Sequence, residues 1–236
     1  MRRILALLLS VGMALCSFIG LPTGYAKSQR HKAAHIILMT AGDRKAGCSA
    51  TAVGPHTLLT AEHCYVGQNT LLGMTLGQDV WGPEKLYIDS TVDEVRAGTA
   101  VQHVIKRIIL DHQDHMLLDF GSDTHFTTFI PMKFREPVQG EHYYLFGNPA
   151  LIVDQYREGY VTGKDNMSPD EEGLEYFISH TCYLLSGPVV GGDSGSSIYA
   201  LDGTLIGITT YGLEDGAFIG SYPIRFTASQ INESLI

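Results

Sequence analysis

Short stretches rich in Val, Ile, Leu, Thr and Tyr follow one another along most of this chain, and Gly, Pro, Asp and Asn separate them. β-Branched and aromatic residues favour extended backbone, whereas the separating residues favour turns. The pattern therefore predicts an all-β protein. The predicted strands form two series, residues 35–40, 49–53, 57–60, 71–76, 100–109 and 116–120, and then residues 143–146, 156–162, 176–183, 196–200, 204–211 and 221–226.

A less regular stretch, residues 121–140, separates the two series and is typical of a connection between two β units. The chain has 236 residues, of which 44% are hydrophobic, so it is long enough for one large core or two small ones. A single helix is predicted, over residues 227–236, where Ile231 and Leu235 lie four residues apart on one face.

The first residues have the pattern of a secretory signal peptide, because two arginines precede an apolar stretch over residues 4–21 and small residues follow it. We expect a signal peptide over residues 1–26 with cleavage after Ala26, then an arm or short propeptide over residues 27–34. An uncleaved membrane anchor is the alternative, since the apolar stretch is long enough to span a bilayer. With cleavage, we expect export and no stable membrane association.

The charge distribution argues against nucleic acid as a partner. The formal net charge is −9, and Lys and Arg form no cluster larger than a pair. Phosphate binding requires a basic surface, which this composition does not provide.

The cysteines are expected to reflect an oxidising compartment, because disulfides persist outside the cytosol. Cys48 and Cys64 flank two predicted strands joined by a turn at residues 54–56, and pairing of those strands would bring the two thiols together. We therefore expect a Cys48–Cys64 disulfide. Cys182 is then a buried free thiol or, less often, an intermolecular link.

A glycine-rich segment, Gly-Gly-Asp-Ser-Gly-Ser, occupies residues 191–196. A serine hydroxyl is a weak nucleophile that needs a neighbouring base and donors for the developing oxyanion. Glycines beside Ser194 allow a tight turn that directs N–H groups to one point, although a simple β-turn has the same composition. His63 is a candidate base because it ends a predicted strand beside Cys64, whereas a lone histidine among ten is more often structural.

Residues 60–64, Thr-Ala-Glu-His-Cys, resemble the catalytic-histidine segment of the chymotrypsin-like serine proteases, and residues 192–195, Gly-Asp-Ser-Gly, match that family's nucleophile motif. The spacing of the two cysteines, residues 147–149, residues 207–212 and the C-terminal helix also agree with the family. The resemblance covers residues 33–236 in order. It implies two six-stranded antiparallel β-barrels, over residues 35–130 and 131–236, with a C-terminal α-helix.

The resemblance implies a secreted serine endopeptidase that acts on a protein or peptide through an acyl-enzyme. It assigns the roles of the family's Ser-His-Asp triad, with Ser194 as nucleophile and His63 as general base. Backbone N–H groups of Gly192 and Ser194 would form the oxyanion hole. The family's aspartate precedes an apolar strand, which favours Asp114, with Asp119 in reserve.

The segment that contains Asp114 has a second interpretation. Residues 111–115, Asp-His-Gln-Asp-His, contain good zinc ligands. Adjacent residues of a strand point to opposite faces, so they converge poorly on one ion. Asp111 is followed by polar residues, which also disfavours it as the third member of the triad. We therefore predict no metal site and no cofactor.

The family's specificity pocket has its base six residues before the nucleophile, at Pro188 in this chain. No carboxylate lies there to pair with Arg or Lys of a substrate. Val189 lies beside it, and Thr210, Tyr211 and Gly212 form the strand expected to line the cleft. We therefore expect a small or medium apolar side chain before the cut.

Activation differs from the best-known family members, in which an amino terminus beginning Ile-Val-Gly-Gly pairs with the aspartate that precedes the nucleophile. That aspartate is Asp193 here, and no such segment precedes Cys48.

Two other classes of function remain, an inactive protease homologue that acts as a secreted binding module and a secreted β-rich adhesin or structural protein. The intact His63, Asp114 and Ser194 favour an enzyme. The sequence predicts no oligomeric state.

Overall fold

The computed structural model describes residues 24–41, 44–66, 85–166, 181–213 and 218–233. Several predicted elements lie wholly or partly outside these ranges. They are the first 23 residues of the predicted signal peptide, the predicted strand 71–76, the first part of the predicted strand 176–183, and the last three residues of the predicted C-terminal helix.

The first half of the chain forms one curled antiparallel sheet. Hydrogen bonds join its strands in the order β5-β4-β1-β2-β3-β7-β6. The register places Ile37 opposite Cys48 and Ala61 opposite His115. The strands are β1 (Ala34–Ala41), β2 (Arg44–Gly54), β3 (Thr57–Ala61), β4 (Lys85–Ile88), β5 (Gln102–His103), β6 (Arg107–Leu110) and β7 (His115–Asp119).

The second half forms a second curled antiparallel sheet, with the strand order β12-β11-β8-β9-β10-β14-β13. The loop between β10 and β11 contains the glycine-rich segment around Ser194. The strands are β8 (His142–Gly147), β9 (Gln155–Asn166), β10 (Thr181–Ser186), β11 (Ser197–Ala200), β12 (Leu205–Ile208), β13 (Tyr211–Leu213) and β14 (Phe218–Ser221).

The all-β class, the two antiparallel units and the C-terminal helix are confirmed, but the described residues give each sheet seven strands where six were expected. The predicted strand 100–109 is interrupted and yields two strands, β5 and β6. The predicted strand 204–211 likewise divides into β12 and the start of β13. The sequence pattern does not show where backbone pairing stops, so these divisions were not predicted. Strand β4 was not predicted at all.

The predicted strand 221–226 is wrong, because β14 ends at Ser221. Pro223 has no N–H to donate to a sheet, which disfavours continued pairing. The apolar residues that suggested a strand are buried instead between the two sheets, as Ile224 and Phe226 show.

Four α-helices occur among the described residues, although the sequence pattern predicted none before residue 227. They are α1 (Gly24–Lys32), α2 (His63–Val66), α3 (Val92–Ala97) and α4 (Ala228–Glu233). The signal for α3 was present, because Thr91 and Glu94 form a capping box and Gly98 ends the helix at φ 72°. No helix in the described ranges is long and apolar enough to cross a bilayer.

Successive residues of a strand serve different cores, because their side chains point to opposite faces. Leu58 and Leu118 lie in the core of the first sheet. Their neighbours Leu59 and Leu117 belong to a second cluster that includes Tyr144, Tyr199 and Ile208 of the other sheet. A third cluster fills the second sheet. The middle cluster packs the two units together and so fixes the loops that face each other across them.

Helix α1 also links the two units. It leads directly into β1, yet the Arg30 side chain donates to the carbonyl of Gly203 at 3.0 Å and lies 5.3 Å from the Tyr199 ring centre. Lys27 donates to the Tyr156 hydroxyl at 2.7 Å. Lys27 and Arg30, from the segment expected to form an arm or propeptide, are therefore held against the second sheet.

Cys48 and Cys64 form the expected disulfide, with their Cα atoms 6.3 Å apart. It connects β2 to the start of α2, immediately after His63. Cys182 is a buried free thiol, and burial raises its pKa to about 11. A thiol with so high a pKa is a poor nucleophile near neutral pH.

We predict that replacing both Cys48 and Cys64 by Ala lowers the free energy of unfolding by about 3 kcal/mol, because a crosslink across 16 residues restricts the unfolded chain. Urea unfolding would measure the loss. Wild-type protein in a strong reductant is the matched control and should show the same loss. Equal stability of oxidised wild type and the double variant would contradict the prediction.

Candidate active site

Sheet register brings the candidate histidine and aspartate together. His63 follows the end of β3, and Asp114 immediately precedes β7. The two strands are paired with Ala61 opposite His115, so the ends of the strands that carry His63 and Asp114 lie side by side. The backbone N–H of Glu62 donates to the Asp114 carbonyl at 3.0 Å, which extends the contact past the end of the ladder.

Both carboxylate oxygens of Asp114 accept hydrogen bonds from His63. One accepts the His63 backbone N–H at 2.9 Å, and the other lies 2.7 Å from Nδ1 of the ring. The Asp114 side chain is only 6% exposed, so water competes little for it. Because a carboxylate only accepts, the pairing assigns the proton to Nδ1 and leaves Nε2 as an acceptor.

Ser194 completes a chain of hydrogen bonds. Its Oγ lies 2.8 Å from Nε2 of His63. Ser49 on β2 ties the loop of Ser194 to the first sheet, since its backbone N–H donates to the Ser194 carbonyl and its hydroxyl donates to the Gly192 carbonyl, both at 2.8 Å. A side chain at Gly195 would clash with the Ser49 carbonyl, so this close approach requires glycine.

The pKa of His63 is raised above the ordinary value of 6.5. Burial of the ring lowers it, but the charge of Asp114 and the hydrogen bond to it, together with the charge of Glu62, raise it by more. The pKa of His63 rises because neighbouring negative charges stabilise the imidazolium. His63 therefore accepts a proton more readily than a free imidazole, and it reaches its neutral form only at a pH above its ordinary range.

The two other candidate aspartates point elsewhere. Asp119 pairs with Arg107 at 3.1 Å. Asp111 is fully buried and lies 2.7 Å from Nδ1 of His115. Asp114 and Asp111 thus serve different histidines, and within the described ranges no group of three or more His, Cys, Asp or Glu side chains is arranged to hold a metal ion.

Backbone geometry around Ser194 leaves two N–H groups available. Gly192 has φ 99°, and a side chain there would clash with the carbonyl of Asn148. In the described part of the chain, the N–H groups of Gly192 and Ser194 donate to no protein acceptor. Free N–H groups of the nucleophile itself and of a residue just before it are suited to bind an oxyanion.

The residues expected to bind substrate follow β10 or lie at the start of β13 in the second sheet. Pro188 and Gly212 are exposed, and Val189 is half-buried against the core of that sheet. The Thr210 hydroxyl is used internally, because it donates to the Gly220 carbonyl at 3.0 Å. Tyr211 is half-buried, and its ring packs against Tyr222. The backbone N–H of Thr210 donates to the same Gly220 carbonyl at 3.0 Å, so neither donor of this buried residue is free for a ligand.

Two residues that hold the loop of Ser194 were not predicted from the sequence. Ser49 is one of them, and nothing in the β2 sequence distinguishes it from an ordinary strand serine. Arg157 on β9 is the other, since its guanidinium forms a two-point pair with Asp193. The fully buried Asp193 required a cation, but several arginines were available in the sequence.

We predict that Asp114→Asn lowers the pKa of His63, because the raising charge is removed while burial, which favours the neutral ring, remains. The NMR titration of the His63 ring protons would measure the change. Asp119→Asn is the matched control and should leave the His63 titration unaltered, since Asp119 pairs with Arg107. An unchanged titration in Asp114→Asn would contradict the assignment of the charge that acts on His63.

Solved structures with a similar fold include three proteases. The Rv3671c protease from M. tuberculosis in its active form has a TM-score of 0.60 at 14% identity, over 92% of this chain and 84% of that chain. The tobacco etch virus protease complexed with product has a TM-score of 0.58 at 15% identity, over 92% of this chain and 82% of that chain. The HtrA-type protease AlgW with a tripeptide has a TM-score of 0.57 at 16% identity, over 88% of this chain and 60% of that chain. At these identities the likeness shows the fold.

A comparison with curated proteins finds no match. The sequence profile of the trypsin-like peptidase domain, in contrast, matches residues 48–208. The match spans more than half of the chain, and it includes His63, Asp114 and Ser194. The chain therefore belongs to the family of trypsin-like peptidase domains.

Proposed function

We propose that this protein is a secreted serine endopeptidase that hydrolyses peptide bonds through an acyl-enzyme. The continuous hydrogen-bond chain from Asp114 through His63 to Ser194 is the observation that carries the proposal. Each member is in a position to serve the next. The base touches the nucleophile, and the carboxylate touches the base.

In the first half of the reaction, Ser194 Oγ bonds to the carbonyl carbon of the peptide, and its proton passes to Nε2 of His63. Asp114 stabilises the imidazolium and keeps the ring oriented. The N–H groups of Gly192 and Ser194 bind the oxyanion. The carbon–nitrogen bond then breaks, and His63 returns its proton to the departing amine.

In the second half, water takes the place of the amine. His63 accepts a proton from the water as its oxygen attacks the acyl carbon, and the proton then returns to Ser194 Oγ as the ester bond breaks. The raised pKa of His63 favours acceptance of the proton, and the departing amine and the released serine oxygen are stronger bases than imidazole and take it back. It also implies that activity is lost as the pH falls and His63 becomes protonated before the reaction.

Export is part of the proposal. The signal-peptide pattern of residues 1–26 and the Cys48–Cys64 disulfide both fit an oxidising compartment. After cleavage the mature chain would begin at Lys27, and we place the two barrels at residues 35–130 and 131–236. The substrate would be a protein or peptide, and the mature chain would have no stable association with a membrane.

We predict that Ser194→Ala reduces peptide turnover by roughly a million-fold, because the nucleophile is removed. Cleavage of a fluorogenic peptide mixture would measure turnover, and a fluorophosphonate should label wild-type protein but not the variant.

Ser196→Ala is the matched control, since its buried hydroxyl has no hydrogen-bond partner among the described residues. It should retain turnover and labelling. Wild-type protein that neither cleaves nor labels would instead support an inactive homologue that acts as a binding module.

The substrate residue before the cut is proposed to be small or medium-sized and apolar. Exposed Pro188 and half-buried Val189 lie after β10, and Gly212 lies on the edge strand β13, which only β14 separates from β10. None of them provides a charge, and a charged side chain placed there without a partner would be desolvated at a cost.

A library of peptides that vary at one position would test this preference. We predict cleavage after Ala, Val or Leu with kcat/KM roughly tenfold or more above cleavage after Arg, Lys, Asp or Glu, which is the discrimination expected of an apolar pocket. Preferred cleavage after a charged residue would refute the proposed pocket without affecting the assignment of the triad.

A further inference from the structure

Asp193, which immediately precedes Ser194, is a completely buried negative charge. Arg157 on β9 reaches it from the second sheet with both ends of its guanidinium. Nη1 donates to one carboxylate oxygen at 3.0 Å, and Nη2 donates to the other at shorter range. The Arg157 side chain is itself only 20% exposed, so the pair is largely shielded from water.

The same two side chains also fix the backbone before Ser194. Arg157 Nη1 donates to the carbonyl of Pro188 at 2.8 Å. Asp193 accepts the N–H of Val190 at 3.0 Å on its side chain, and its own N–H donates to the Val190 carbonyl at 3.1 Å. Residues 188–193 are thereby closed into one loop around the ion pair.

The backbone of β8 encloses the pair on one side. A side chain at Gly147 would place its first carbon 3.0 Å from both Arg157 Nη2 and Asp193 Oδ1. The Ser196 hydroxyl would lie closer still, at 2.5 Å, so the pair is closely packed on this side. Removing one partner of such a pair leaves a buried charge unpaired, which strongly disfavours the conformation that buries it.

We propose that Arg157 is a positioning residue for the proposed reaction, an internal cation that holds Asp193 and so directs the N–H groups of Gly192 and Ser194 toward the oxyanion. Because Asp193 is already paired, assembly of the site needs no free chain terminus to approach it. The inference rests on the proposed function, because an oxyanion forms only if the protein is an enzyme. The geometry of the loop can be measured whether or not the protein is active.

The chemistry of the contact favours arginine over lysine. A planar guanidinium binds both oxygens of a carboxylate and still offers a donor to Pro188, whereas an ammonium group is a single point of charge. Lysine at position 157 would keep the charge but lose part of this geometry. An intermediate effect is therefore expected of Arg157→Lys.

The kinetic test compares wild type, Arg157→Met and Arg157→Lys. Loss of oxyanion stabilisation should lower kcat on the order of 100-fold in Arg157→Met and roughly tenfold in Arg157→Lys, with KM changed by less than about threefold. A purely structural role would not separate kcat from KM in this way. If Arg157→Met does not fold, as judged by circular dichroism, Arg157→Lys decides the result.

Arg135→Met is the matched control. Arg135 forms an equivalent two-point pair with Glu141, at 3.0 and 2.7 Å, on the same half of the chain. Its loss should leave kcat within about twofold of wild type, because that pair makes no contact with the loop of Ser194. Wild-type kcat in both Arg157 variants would overturn the inference and leave the proposed endopeptidase intact.

Amide hydrogen exchange provides a readout that does not depend on activity. In the peptide spanning residues 187–196, exchange should rise roughly tenfold or more in Arg157→Met and stay unchanged in Arg135→Met. Unchanged exchange in Arg157→Met would overturn the inference even if the wild-type protein proved inactive. Inactive wild type with increased exchange in Arg157→Met would reject the proposed function but retain the role of Arg157 in the loop.

The amino terminus supplies one further comparison. A folded tag fused before Lys27 should leave kcat within about twofold of the untagged chain, because Arg157 already pairs with Asp193. A loss of activity that is restored when the tag is cleaved off would show that a free terminus is required, and would contradict the proposal.

Discussion

The packing of the two curled sheets against each other is the constraint on which the site depends. Leu59 of β3 and Tyr199 of β11 belong to one buried cluster, and His63 follows β3 while Ser194 precedes β11. A hydrogen bond weakens steeply when its atoms move apart by a few tenths of an ångström. A close-packed interior resists such movement, so the cluster can maintain the 2.8 Å contact between these two side chains.

Two buried carboxylates give the facing loops their shape. Asp114 is held by His63, and Asp193 is held by Arg157, in each case through both carboxylate oxygens. The backbone at Asp114 has φ 61°, a conformation that is unfavourable for residues other than glycine. Such strain persists only where surrounding contacts compensate for it, and the bonds from His63 and Glu62 provide that compensation.

The confirmed disulfide and the candidate nucleophile both have local signals in the sequence. The Cys48–Cys64 disulfide followed from two strands joined by a turn, and Ser194 stood out because glycines surround it. The prediction of a strand over 221–226 was wrong because it gave more weight to the periodic apolar residues than to Pro223. Proline lacks an N–H, which favours an irregular segment. Helix α3 was missed although its capping residues were visible, since its six residues contain a single apolar pair, Val92 and Val95, which is too short a pattern to show helical periodicity.

By itself the sequence determined the all-β class, the types of reactive group and their order along the chain, because backbone preferences and side-chain chemistry belong to each residue. Only the tertiary structure decided which aspartate meets His63 and which arginine meets Asp193. The first choice depends on the register of β3 with β7, and the second joins residues 36 positions apart. Contacts of this kind arise when strands pair and cores close, so no short stretch of sequence contains them.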